Sequence, residues 1–113
     1  MAMTDTFMNT CVTAGGATIT HIGLVDTGGT ELASGSYARQ AVTWTSAASG
    51  LIRPNSDLVF DLTSGDEVGG WRGFTASTAG TNLGGEDVTT ATFSNDGTYT
   101  LLAASTAIDL DAA

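Results

Sequence analysis

Asp57-Leu58-Val59-Phe60-Asp61-Leu62 is the stretch that decides the fold. Leu58, Phe60 and Leu62 point one way, and Asp57, Val59 and Asp61 point the other. This period of two is that of a strand with one buried face. Working upstream, residues 37–45 alternate Tyr37, Arg39, Ala41 and Thr43 against Ala38, Gln40, Val42 and Trp44, and predict a second strand. Residues 18–25 predict a third, closed by the turn residues Asp26-Thr27-Gly28-Gly29. Downstream, strands are expected over 71–77, 88–93, 98–104 and 108–110. Asn95-Asp96-Gly97 is a tight-turn signal, because Asp-Gly accepts the positive φ of a type I′ hairpin. Short strands at this spacing predict an all-β fold: a small antiparallel β-sandwich of about seven or eight strands.

Composition agrees with one folded domain. The chain has 113 residues, 42% of them apolar and 13% charged, whereas disordered chains are poor in the first and rich in the second. Gly and Thr dominate, which suits turns and strands. One short helix or arm is expected over 1–17, with Thr4 or Asp5 capping turns that run through Phe7 and Met8 to Val12. The β-sandwich domain is expected over 18–113. There is also an internal echo. The run from Gly23 to Leu32 resembles that from Gly73 to Leu83, and Phe60-Asp61-Leu62 resembles Ile108-Asp109-Leu110. One reading is two similar half-units stacked face to face; the other is that Gly-Thr-rich hairpins look alike by composition.

Charge excludes several functions. Twelve acidic residues against three basic ones give a net charge of −9, and the cations are Arg39, Arg53 and Arg72. Gripping nucleic acid requires several Lys or Arg to displace counterions from phosphates, so DNA or RNA binding is not expected. The same charge repels an anionic membrane surface. The first dozen residues carry no basic-then-apolar pattern of a signal peptide, and no apolar run is long enough to span a membrane. Synthesis and folding in a cytoplasm are expected.

No catalytic constellation emerges. His21 is the one histidine and lies mid-strand; Cys11 is the one cysteine and is expected to be a buried, inert thiol. One His and one Cys do not complete a zinc site. Asp66-Glu67, Glu86-Asp87 and Asn95-Asp96-Gly97 lack the spacing of a calcium loop and suit turns equally well. Gly28-Gly29 and Gly84-Gly85 lack the lysine and the following helix of a phosphate loop. No enzyme activity, metal or cofactor is therefore expected. The aromatic residues suit a core better than a sugar-stacking platform, with Trp71-Arg72, after Gly69-Gly70, placed near a strand end. Tyr37, Arg39, Trp44, Trp71 and Arg72 are the candidate structural or interface anchors. Arg39 in particular is expected to pair with a carboxylate or a carbonyl.

The segment Gly35-Ser36-Tyr37-Ala38-Arg39-Gln40-Ala41-Val42-Thr43-Trp44 resembles a "GGSYARQAVTW" stretch found in small bacteriophage virion proteins. These are labelled tail fibre, minor tail or capsid decoration proteins, chiefly of actinobacterial phages. Thr20-His21-Ile22-Gly23-Leu24 is similar to that family's first strand, Asn82-Leu83-Gly84-Gly85 to its "FLGG" loop, and residues 93–102 to its "TYT" hairpin. The likeness covers roughly residues 18–110. It departs in the shorter loop Val25-Asp26-Thr27-Gly28-Gly29, and in Gly70-Trp71-Arg72-Gly73-Phe74 where the family has a second His-containing strand.

The resemblance implies a non-enzymatic structural protein located in the virion, made in the host bacterial cytoplasm. Its partners would be other copies of itself and virion proteins such as the major capsid protein or tail proteins. Capsid decoration is preferred to a tail-fibre or minor tail role, because the chain has no long fibrous repeat. A homo-oligomer is expected, a trimer by the local threefold positions of phage shells. The alternative is a carbohydrate- or receptor-binding β-sandwich module, which requires an exposed aromatic platform.

Overall fold

The structure, a computed structural model, describes residues 4–33 and 37–109. Helix α1 (Asp5–Thr18) is followed by β1 (His21–Val25), β2 (Gln40–Ala41), β3 (Leu51–Ile52), β4 (Leu58–Leu62), β5 (Glu67–Phe74), β6 (Asn82–Thr92), β7 (Gly97–Leu101) and β8 (Ile108–Asp109). A 3-10 turn spans Ala103–Ser105. The fold is mostly β and antiparallel, as the alternation predicts. A four-stranded sheet has the order β2-β1-β5-β6, and two-stranded pairs form between β3 and β8 and between β4 and β7.

The backbone of the architecture is one long bent ribbon. β4 followed by β5 runs antiparallel to β6 followed by β7. Leu62 faces Gly97 and Glu67 faces Thr92. Five residues forward on one strand match five back on the other, so the register passes across the joint between the pairs. The joint is held by Gly65 N donating to Phe93 O at 2.7 Å and Phe93 N to Asp66 O at 2.8 Å. Ser64 N also donates to Asp96 Oδ1 at 2.9 Å. At the far end the ribbon folds back through residues 75–81, where Ala79 (φ 54°) and Gly80 (φ 70°) take left-handed backbone. The bend brings the β4–β7 half over the sheet. Ile22, Leu24, Val68 and Trp71 of the sheet meet Leu58, Phe60, Leu62 and Leu101 in the core. Each such side chain contributes roughly 1.5–3 kcal/mol on burial. The molecule measures 46 × 25 × 24 Å.

Several sequence expectations are corrected. The helix is real and capped, with the Thr4 side chain accepting from Phe7 N at 3.2 Å, but it continues past Val12 to Thr18. Gly15-Gly16 disfavours helix by intrinsic propensity, yet Gly16 lets the helix approach Ile52, whose side chain a Cβ would strike. The first strand consequently begins at His21. Residues 37–45 supply only the two-residue β2 and a bridge from Trp44 to Pro54. Asn95-Asp96-Gly97 is not a hairpin. None of the three has positive φ, and the turn lies at the ribbon's joint, leading from β6 to β7, which pairs with β4. Asn82-Leu83-Gly84-Gly85, expected as a loop, begins the longest strand. The echoing segments do not stack as facing half-units: β1 and β5 are hydrogen-bonded neighbours in one sheet, with His21 opposite Phe74. Leu110, in the second echo, lies outside the described residues, as do Gly35 and Ser36.

Candidate functional site

The most tightly constructed polar arrangement surrounds Arg39. Its Nε and Nη2 donate to Glu31 Oε2 and Oε1, each at 2.8 Å, forming a two-pronged ion pair. Its Nη1 donates to Ala76 O at 3.0 Å and Ala79 O at 2.7 Å, in the ribbon's far turn. The guanidinium lies 3.6 Å above the Phe74 ring. Tyr37 completes the network by donating to Glu31 Oε2 at 2.5 Å and accepting from Leu24 N at 3.0 Å. Its ring stacks on Phe60, with centroids 6.3 Å apart. Gly23 is what allows this approach, since a Cβ there would come within 2.6 Å of the Tyr37 hydroxyl.

Electrostatics follow the geometry. Hydrogen bonding from Arg39 holds the Glu31 carboxyl below its ordinary range against the opposing effect of burial, and Tyr37 adds to the lowering. Burial pushes the Tyr37 phenol upward, and its bond to the Glu31 carboxylate pushes it further. The Arg39 guanidinium is raised, first by Glu31. Only 9% of the Arg39 side chain is exposed. Arg39 Nε, Nη1 and Nη2 each donate to an acceptor, so the arrangement ties three segments together. The expectation that Arg39 pairs with a carboxylate or a carbonyl is met on both counts.

The other anchors sit apart. Trp71 is 2% exposed in the middle of β5 and belongs to the core, not to a strand end. Trp44 is half-buried and its Nε1 donates to Ile19 O at 3.1 Å. Arg72 lies on β5's other face, where Nη2 reaches Asp87 Oδ1 at 3.0 Å and Nη1 reaches Trp71 O and Glu86 O. Sequence reasoning did not find Glu31 or Phe74 as Arg39's partners. Glu31 lies eight residues away across a turn, and Phe74 is brought close only by the β1–β5 pairing.

His21 is half-buried, with Nδ1 2.9 Å from Thr20 Oγ1. Cys11 is exposed, contrary to expectation, because α1 buries the row Met8, Val12 and Gly16 and leaves Cys11 on its flank. Among the described residues, no three His, Cys, Asp or Glu side chains gather to hold a metal ion. No helix among them is long and apolar enough to cross a membrane. No known protein family, no curated protein and no solved structure matches this chain.

Proposed function

We propose that the protein is a non-enzymatic structural subunit of a bacteriophage particle, a capsid decoration protein in preference to a tail-fibre or minor tail component. The observation that carries this reading is the work done by the family-like segment. Tyr37, Arg39, Val42 and Trp44 hydrogen-bond, stack or pack within the fold. The residues that make the segment recognisable are framework residues, as they should be in proteins that share a shell role and not a reaction. The charge fits the same role: two of three cations are used internally, in Arg39–Glu31 and Arg72–Asp87, so the acidic exterior faces its partners largely uncompensated. Such a surface complements basic patches on a larger assembly.

A carbohydrate-binding module would need an exposed aromatic platform; Trp71 is in the core and Trp44 is half-buried, so Phe7 on α1 is the one exposed aromatic side chain among the described residues. The test is mass spectrometry of purified particles together with add-back of the protein to particles lacking it. Saturable occupancy supports the proposal. A monomer that ignores both capsids and tails but is retained on a glycan array overturns it in favour of the carbohydrate-binding alternative.

A further inference from the structure

We infer that the free edge of β6, with the apolar groove beside it, receives an extended, lysine- or arginine-bearing segment of another protein and adds it to the sheet as a further strand. The inference deepens the docking role proposed above and rests on it. β6 is the outermost strand of the order β2-β1-β5-β6, so among the described residues its far side pairs with no strand. It is eleven residues long, and residues 82–87 are all exposed. Natural edges of this length are blunted by charge (lysine above all), proline, bulges or a covering element; here the register against β5 shifts twice, and the only charges on the strand are the acidic Glu86 and Asp87. β6 contains neither lysine nor proline, and at Gly84 nothing stands within 4 Å of where a Cβ would be, which leaves the backbone open to approach there.

Beside this edge lies a groove of about 220 Å³ lined by Ile19, Trp71, Leu83, Glu86 and Ile108 among others. Ile19, Leu83 and Ile108 also line an adjoining hollow against α1. Leu83, 46% exposed, stands between the two. The groove is smaller than the roughly 300 Å³ at which small-molecule sites begin, but it suits apolar side chains presented by a strand. Edge hydrogen bonds with pockets for alternate side chains are the elements of strand addition.

Charge selects the occupant. Asp87 is engaged by Arg72, while the Glu86 carboxylate, at the groove wall, has no ion-pair partner among the described residues. A second copy would bring a second net charge of −9 and its own Glu86 and Asp87 to the same edge. Like charges facing across strands are destabilising. A basic extended segment relieves what a second copy aggravates.

The test uses the full chain and a short labelled peptide alternating lysine and valine, with a glutamate–valine peptide as its counterpart. The wild type should bind the lysine peptide, more weakly as salt rises, and backbone amide exchange should slow within residues 82–92. Leu83→Asp and Glu86→Lys, both at exposed positions, should each weaken binding about tenfold or more, a loss of roughly 1.4 kcal/mol. Glu86→Lys should also gain affinity for the glutamate peptide. Absence of wild-type binding, indifference to both variants, exchange protection confined elsewhere, or dimerisation of the wild type through β6 would each overturn the inference. The wild type's occupancy on particles decides the docking role separately. If the wild type occupies particles and both variants do so equally, the edge assignment alone fails.

Discussion

At the scale of single residues, Arg39 does the most, and its removal gives the sharpest expectation. Truncation strands Glu31 and leaves the carbonyls of Ala76 and Ala79 without their donor. Breaking a buried pair from one side typically costs about 3–5 kcal/mol. Glu31 is partly solvated, so Arg39→Ala should lower the urea-unfolding free energy by about 3 kcal/mol. Arg39→Lys should recover little of this loss, because an ammonium cannot reproduce the two-pronged fork.

The same network sets both ends of the pH profile. Glu31 is held below its ordinary 4.5, so the stability it contributes is fully present above that pH and is lost as pH falls through the folded value. Tyr37 is raised above its ordinary 10.0, so its contribution is complete below that pH and is lost as pH rises beyond it. Thermal midpoints measured across pH should fall at both limits, and Tyr37→Phe should flatten the alkaline one. Thr106 makes the opposite kind of contribution. It is fully buried, and its hydroxyl has no hydrogen-bond partner among the described residues. An unsatisfied buried hydroxyl costs about 1–3 kcal/mol, so Thr106→Val should raise stability by about 1 kcal/mol. A loss on denaturation would mean that the hydroxyl is bonded after all. Arg39's need for a partner was legible from its scarcity in the sequence; which partner was not, because turns and strand pairing decide that.

At the scale of elements, the alternation of Leu58, Phe60 and Leu62 was read correctly, and these residues are buried with Val59 and Asp61 exposed between them. There the period-two signal survives folding, whereas the alternation over residues 37–45 yields only the two-residue β2, because a strand also needs a partner along its length. Pairing is not local. Asp96-Gly97 carries hairpin chemistry, but the register of the bent ribbon runs through it, and the left-handed backbone falls instead at Gly65 on the opposing strand, φ 95°. Substitution separates the two assignments. Gly65→Ala should cost about 1 kcal/mol through its positive φ. Gly97→Ala should cost less, since its backbone needs no such conformation and a Cβ would meet only the Phe93 ring edge, at 3.3 Å. The reverse order in paired denaturation curves would restore the type I′ hairpin. Gly15-Gly16 shows the same limit: intrinsic propensity argues against helix there, while close packing on Ile52 and Trp44 favours it.

At the scale of the whole molecule, the acidic balance was fully legible, but its distribution was not. Folding pairs Arg39 and Arg72 internally, exposes Arg53, and leaves a long edge at β6 without a basic residue. Docking through such a surface should weaken as ionic strength rises, because screening at about 0.15 M already limits charge interactions to roughly 8 Å. The thermal midpoint itself should be unmoved by EDTA; a drop restored by calcium would mean that the turn carboxylates hold an ion. The central claim, that this is a structural subunit of a phage particle, is tested most directly by mixing the purified protein with particles lacking it and measuring bound copies against added protein. The account predicts saturation at a stoichiometry set by the particle's symmetry, reduced in high salt. Failure to bind capsids or tails at any salt concentration would contradict it.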